Sequence, residues 1–266
     1  MRRPPRRVPP AVRSVVRGVV GFAAFLVVLE VVPRSGLVSP DYLPPISTIV
    51  AALTDEATAA AFWLAVGDTM LGWAIGLTVA FVLAVSLGLA IGSVPLLRSA
   101  TTSTIEFLRP IPSVALIPLA VLLYGTEIGS TLLLVVYASF WQVLVQVVHG
   151  VQDVDPVARD TARSFGLGWW ARLRHVTWPT ALPYVLTGLR LAATVALILA
   201  ITAELVIGGS GLGQQIAIAQ QSGAVATMYA LVVAAGALGV AINVGLRQAE
   251  RYALRWHTSV RGELVA

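Results

Sequence analysis

Asp160-Thr161-Ala162, Gly166 and Pro179 stand in an arginine-rich segment between two apolar runs, and their types suit mechanical docking rather than bond-making. Asp155-Pro156 is a helix start, because the aspartate accepts from free first-turn amides and proline has no amide to leave unpaired. The spacing predicts a helix from 156 to about 165 with Val157, Thr161 and Phe165 on one stripe and Ala158 and Ala162 beside it. Arg159 and Arg163, four apart, project from another side. Gly166 suits the left-handed position that ends a helix. A second short helix from 169 to about 175 is expected before Pro179 and Pro183. A helix lying on lipid wants bulky apolar residues on its buried face, with Trp169 and Trp170 as anchors. The small residues Ala158, Thr161 and Ala162 suit a protein groove, and the pattern by itself leaves both placements open.

Other polar residues stand inside apolar runs, where each needs a role. Ser139, Gln142, Gln146 and His149 follow 3, 4, 3 spacing and share a helix face, as do Thr187, Arg190 and Thr194. Such faces line a solute pathway or form polar helix contacts, and spacing supports both. Arg190 and Glu204 share one run but lie 14 residues apart, about 21 Å at helical rise, so they do not pair along that helix. Arg190 can snorkel to its nearer interface, whereas Glu204 is expected to meet the outer loops or a gate. Glu30 falls late in the first run.

The elements that must position these residues are membrane spans. The chain has 266 residues, 57% hydrophobic and 12% charged, and its mean hydropathy of +0.84 leaves too little charge for a water-facing surface. Six runs, 15–32, 69–92, 105–124, 131–148, 183–207 and 227–246, approach the roughly 20 apolar residues of a spanning helix. They are continuous rather than alternating, which excludes a barrel. The expected fold is therefore an all-α integral membrane protein with six transmembrane helices. Arg2, Arg3, Arg6, Arg7, Arg13 and Arg17 precede the first run. Arg98, then Arg159, Arg163, Arg172 and Arg174, then Arg247, Arg251, Arg255 and Arg261 fall in alternate connections or after the last run. Positive charge stays cytoplasmic, so both termini are expected there. The net charge of +5 follows from topology and anionic lipid, without nucleic acid. No small-residue cleavage site follows the first run, so it reads as a retained span rather than a secretory signal.

The segment 36–56, with Pro40, Pro44 and Pro45, predicts an outer loop leading into a short interfacial helix. Gly72-x-x-x-Gly76 and Gly88-x-x-x-Gly92 let backbones approach closely, a packing device within the fold. Arg109-Pro110-Ile111-Pro112 and Pro118 predict a kink in the third span, 105–124. The expected organisation is an arginine-rich arm over 1–14, a first helix and outer loop over 15–62, a transmembrane domain over 63–247 with its docking loop at 153–180, and a tail over 248–266.

The docking loop resembles the signature of ABC importer permeases: Glu-Ala-Ala, three residues, Gly, nine residues, Ile-x-Leu-Pro. Here Asp160-Thr161-Ala162, Gly166 and Val176-Thr177-Trp178-Pro179 hold every spacing, with Asp for Glu, Thr for Ala, Val for Ile and Trp for Leu. Leu43-Pro44-Pro45 with Ser47, Phe107-Leu108-Arg109-Pro110-Ile111-Pro112 with Ala115-Leu116-Ile117-Pro118-Leu119, Thr187-Gly188-Leu189-Arg190-Leu191, and Ala203-Glu204-Leu205 with Gly211-Leu212-Gly213 are similar to the nitrate/sulfonate/taurine branch. The resemblance runs from about residue 40 to 250. It implies the type I ABC importer permease fold with a cytoplasmic coupling helix, in a bacterial inner membrane. It also implies a homodimer working with two ATP-binding subunits and an external solute-binding protein.

On this reading Asp160, Thr161, Ala162, Arg163, Phe165, Gly166 and Pro179 couple to the ATPase. Ser139, Gln142, Gln146, Arg109, Thr187, Arg190, Thr194 and Glu204 are the pathway candidates, with Arg109 or Arg190 attracting an anionic solute. ATP and Mg²⁺ belong to the partner: the chain has no Gly-x-x-x-x-Gly-Lys loop and no lysine at all. No catalytic constellation and no histidine spacing for a metal is visible, and zero cysteines exclude thiolate chemistry. A secondary transporter predicts paired broken helices or an inverted repeat, which the sequence lacks. Within the family, a thiamine-precursor pyrimidine or a quaternary ammonium compound is the alternative solute.

Overall fold

The computed structural model describes residues 10–255, with side chains from Val16 onward. The arginines at 2, 3, 6 and 7, and the tail beyond 255, lie outside the described residues. Every regular element described is helical: α1 (Pro10–Arg34), α2 (Ile46–Thr58), α3 (Ala60–Ser93), α4 (Pro95–Leu108), α5 (Ile117–Tyr124), α6 (Ile128–Gln152), α7 (Pro156–Ser164), α8 (Trp169–Arg172), α9 (Trp178–Ile207), α10 (Leu212–Gln221) and α11 (Val225–Ala253).

Helix α6 lies between α3 and α9, and small residues set both contacts. On α3, Gly72 faces Thr131, Gly76 faces Val135, Gly88 faces Val147 and Gly92 faces Val151. A Cβ on Gly88 would lie 2.8 Å from the Val147 Cβ, and one on Gly92 would lie 2.7 Å from the Val151 Cβ. The glycines are thus holes that valine knobs fill, which brings the helix axes together without hydrophobic help from water. The expected small-residue motifs are confirmed as internal packing. On the other flank, α9 offers Ala181, Ala192, Ala193, Ala196, Ala200 and Ala203, all fully buried. Gly150 of α6 packs on Ala181 and Tyr184, and Gly188 of α9 packs on Val143 and Gln146.

These contacts decide the topology. Partner numbers rise together along α3 and α6, so those helices are parallel. They run oppositely along α6 and α9, so that pair is antiparallel. Parallel neighbours require the chain between them to return across the bundle, and only α4, a 3-10 turn (Ser113–Leu116) and α5 are available. The two halves of this return meet at 81°. Among the described residues five helices are long and apolar enough to cross a membrane, and the bent pair counted as one span makes six.

The third span differs from its expectation. A single kinked helix over 105–124 is replaced by a break at 109–112, because Pro110 and Pro112 supply no amides to continue α4. The Leu108 carbonyl loses the donor residue 112 would have given, and the Tyr137 hydroxyl of α6 donates to it at 2.6 Å. Pro118 does not kink anything, since it sits in the first turn of α5, where proline is tolerated.

The second difference is at 169–183. The expected separate helix is continuous with the fifth span: α8 passes through a π turn (Leu173–Thr177) into α9, giving an unbroken apolar helix Trp169–Ile207. The Trp178 amide donates to the Leu173 carbonyl, five residues back, and this wider turn accommodates Pro179 just after it. Pro183 lies inside α9.

Outside the three-helix core, α11 packs antiparallel on α9 and α2 packs on α11, and the Tyr229 hydroxyl of α11 donates to the carbonyl of Tyr42, in the loop before α2, at 3.0 Å. Helix α1 is peripheral, with almost all its span exposed. Among its described residues Glu30 accepts from both the amide and the hydroxyl of Ser47 at 3.0 Å, and Arg34 donates to the same hydroxyl. Glu30 thereby caps the open first turn of α2. Replacing Gly88 with Leu should overpack the α3–α6 seam and destabilise the protein by about 1–3 kcal/mol. The unfolding midpoint in detergent is the readout, and Val147→Ala in the same chain should recover part of the loss.

Candidate functional site

The loop between α6 and α9 is a braced projection. The Asp155 Oδ1 accepts from the Val157 amide at 2.8 Å, with Pro156 at the first position of α7. At the other end Gly166 adopts φ +72°. Its amide bonds the Arg163 carbonyl at 2.9 Å and the Leu167 amide bonds the Ala162 carbonyl at 3.0 Å, the paired arrangement that closes a helix C-terminus. The loop's root is held by the Tyr184 hydroxyl, which donates to Asp153 at 2.9 Å.

Helix α7 presents two opposed faces. Val157, Thr161 and Phe165 point outward, Val157 being 71% and Phe165 80% exposed. Ala162 is buried against its own chain, so it seats α7 rather than facing outward with Asp160 and Thr161. Arg159 and Arg163 lie half a turn away from the outward stripe. Arg159 donates weakly to the Val151 carbonyl at 3.4 Å, and Arg163 lies 3.5 Å from Asp160 with both side chains open to solvent. Pro179 is half-buried in the first turn of α9.

The polar residues within the bundle do not converge on one surface. Ser139 is fully buried and its hydroxyl lies 3.4 Å from the Ala192 carbonyl, and Gln146 packs its stem on Gly188, so both belong to the α6–α9 contact. Gln142 is half-buried on the same face. His149 instead opens, with Arg98, Glu106, Arg109 and Gln152, onto a cavity of about 330 Å³ between α4 and α6 on the arginine-rich side. Arg190 forms an ion pair with Glu250 of α11 at 3.4 Å. Thr187 is half-buried, whereas Thr194 is exposed in an apolar groove between α9 and α11 that also contains Gly236, Gly239 and Asn243.

Glu204 is an anchor. Only 3% exposed, its Oε2 accepts from the Thr69 hydroxyl at 2.8 Å and from the Gly213 amide at 3.0 Å, while the Thr69 Oγ1 accepts from the Leu212 amide at 2.9 Å. Side chains of α3 and α9 thus satisfy the open amides of α10. Gly211, at φ +124°, abuts the Glu204 carboxyl, and Gly213 abuts the Ile201 carbonyl, so neither position has room for a side chain. The expected meeting of Glu204 with an outer segment is found, and that segment is the start of α10. The carboxyl also borders a cavity of about 390 Å³ containing Asp68, Glu127, Thr131 and Ser210.

Reading the sequence missed Thr69, α10 itself, the Trp73 indole that donates to the Ala193 carbonyl at 2.9 Å, and Glu250. The last left a signal: it is the one carboxylate among Arg247, Arg251 and Arg255.

Five long apolar helices and one bent pair around a tightly packed three-helix core, with a capped helix projecting from one side, define a polytopic helical membrane protein. Residues 80–253 match the binding-protein-dependent transport system inner membrane component, and the chain belongs to that family. It is 29% identical to the taurine transport system permease protein TauC of Escherichia coli over 257 residues, covering 95% of this chain and 94% of that one. It is 28% identical to the putative aliphatic sulfonates transport permease protein SsuC of Bacillus subtilis over 244 residues, 90% of this chain and 87% of that one. With the nitrate import permease protein NrtB of a Synechocystis species it shares 26% identity over 170 residues, 64% and 62% of the two chains.

Glu204→Leu should leave the Gly213 amide and the Thr69 hydroxyl without their shared acceptor and cost about 1–3 kcal/mol. Glu204→Gln, which keeps an acceptor oxygen, should cost less. Unfolding midpoints together with protease sensitivity of the 208–211 segment measure the difference, and equal behaviour of the two variants would remove the capping role.

Proposed function

We propose that this chain is one half of a homodimeric permease in an ATP-driven importer, with its arginine-rich side and both termini in the cytoplasm. Two ATP-binding subunits engage the α7 helices, and an external solute-binding protein delivers cargo to the opposite side. ATP and Mg²⁺ reside on the partner, and this chain performs no hydrolysis.

The observation that carries this reading is the outward stripe of α7. Two large apolar side chains, Val157 and Phe165, are held in solvent by a helix capped at both ends and braced on the bundle. Apolar anchors on a rigid helix are the form a groove-binding partner uses. Motion of α7 would pass through α8 and the π turn into α9, and from α9 through the Gly150 and Gly188 contacts to α6. Asp160, Thr161, Arg163 and Phe165 meet the ATPase, Ala162 and Gly166 keep the helix in place, and Pro179 marks where the loop enters α9.

The solute we infer is a small anion of the sulfonate class, taurine or an alkanesulfonate, with nitrate as a smaller relative. The support is the naming of the relatives, two of which carry sulfonates. Of the expected pathway residues, Arg109 and Thr194 remain open to a solute or second subunit, and Thr187 and Gln142 are partly so. Arg190 is committed to Glu250, and Ser139, Gln146 and Glu204 are committed to packing.

Phe165→Ala should lower retention of the ATPase on the purified permease by about tenfold or more, the scale of an interface anchor. Gly166→Val, which forces a β-branched residue into a left-handed conformation at about 1–2 kcal/mol, should uncouple hydrolysis from uptake while the protein still inserts. Wild-type uptake and full ATPase retention in both variants would overturn the assignment of α7. Uptake of labelled taurine, an alkanesulfonate and nitrate by proteoliposomes holding the whole complex ranks the solutes. Native mass measurement of that complex counts its permease chains.

A further inference from the structure

Behind α7, on the side away from Val157 and Phe165, is a cavity of about 160 Å³ containing Arg159, Arg163, Arg172, Trp169, Ser93 and Thr177. Among the described residues three guanidinium groups border it and no carboxylate does. The nearest acid in sequence, Asp160, lies 3.5 Å from Arg163 but is 72% exposed and on the solvent side. Asp160 is thus the one counter-charge at hand, on the solvent side of Arg163, and within the cavity the guanidinium groups repel one another, so the cluster is stabilised by an anion with several acceptor oxygens.

The depth of the cavity indicates where that anion comes from. Its floor is made by the ends of spans: Ser93 closes α3, Pro95 opens α4, Val151 is in the last turn of α6, and Thr177 leads into α9. Spans end at the headgroup layer of a bilayer, which brings this cavity within reach of lipid headgroups. Trp169 and Trp170 stand beside it, 60% and 66% exposed, as indoles do at a bilayer interface. The two faces of α7 are half a turn apart, so a partner on the Val157–Phe165 stripe leaves the arginine face directed at the membrane.

We propose that this cavity is a binding site for a phosphate-bearing anion, supplied as the headgroup of an anionic phospholipid such as phosphatidylglycerol. Arg159 and Arg172 grip the phosphate from α7 and α8, Arg163 closes the site, and Trp169 packs against the glycerol region. One bound lipid then bridges α7 to the start of the α9 helix, bracing the element that receives force. The proposal depends on the proposed function only for the leaflet that supplies the lipid, and it requires neither a particular solute nor ATPase binding.

The test uses the full-length permease, alone and in complex with its ATPase, purified in mild detergent with added phosphatidylglycerol and phosphatidylcholine. Native mass spectrometry counts retained lipids. The wild type should keep one phosphatidylglycerol per permease chain in preference to phosphatidylcholine, with or without the ATPase. The double variant Arg159→Gln with Arg172→Gln should bind it about tenfold more weakly. Arg247→Gln with Arg255→Gln removes the same charge from the end of α11 and should retain the lipid. Lysine at 159 and 172 should restore part of the binding, which separates loss of the site from loss of folding.

Equal retention by both double variants, or lipid lost whenever the ATPase is bound, would overturn the site. Inorganic phosphate that displaces the lipid at millimolar concentration and protects the wild type equally against heat would make a soluble phosphate the ligand and overturn the lipid assignment. Failure here leaves uptake and ATPase retention as independent readouts of the proposed function.

Discussion

Close approach of three helices through small residues is the constraint on which the rest of this structure depends. Lipid offers no hydrophobic drive for helices to associate, so α3, α6 and α9 must gain their contact energy from dispersion and backbone proximity. Gly76, Gly88 and Gly92 receive valines from α6, and a row of buried alanines brings α9 to its other side. With those contacts set, the direction of each helix follows, and with it the need for the α4–α5 return. The Trp73 to Ala193 and Thr69 to Glu204 hydrogen bonds then link α3 directly to α9 around the central helix.

Breaks in the helical ladder are the second theme, and each is answered from a neighbouring element. Proline at 110 and 112 ends α4, and the Tyr137 hydroxyl joins the Ile111 amide in donating to the Leu108 carbonyl. The exposed first turn of α2 is answered by Glu30 of α1. The first turn of α10 is answered by Glu204 and Thr69 from two different spans. An apolar surrounding makes an unpaired backbone group costly, so these answers tie the broken segments to the core instead of leaving them free. The same economy explains why several polar residues in the spans serve the fold rather than a solute.

The docking loop works by the opposite logic. Its backbone is satisfied internally, by Asp155 at one end and the Gly166 turn at the other, and this frees Val157 and Phe165 to remain in water. Its remaining ties to the bundle, Tyr184 to Asp153 and the buried Ala162, lie on the side away from that stripe. Beyond the Gly166 turn, α8 continues through the π turn into α9, so the far end of the loop is joined to the most buried part of the bundle without a break in the helix.

The periodicity and composition of the chain settled that it is a helical membrane protein with about six spans, because apolar runs near the thickness of a bilayer admit few other folds. The α7 helix and both its caps were also legible, since Asp-Pro at the start and Gly at the end act on adjacent backbone groups and need no tertiary partner. The family signature was legible for the same reason, being a local pattern. Polar faces were not decidable at that level. The 3, 4, 3 spacing of Ser139, Gln142, Gln146 and His149 correctly put them near one face, yet only packing showed that α9 covers Ser139 and Gln146 while His149 opens onto a cavity. Pairings such as Arg190 with Glu250 and Thr69 with Glu204 join residues far apart in the chain, and which helices lie side by side in three dimensions decides them. Nor could spacing tell a kinked span from one broken by 81°, because the angle depends on where the parallel α3 and α6 require the returning chain to go.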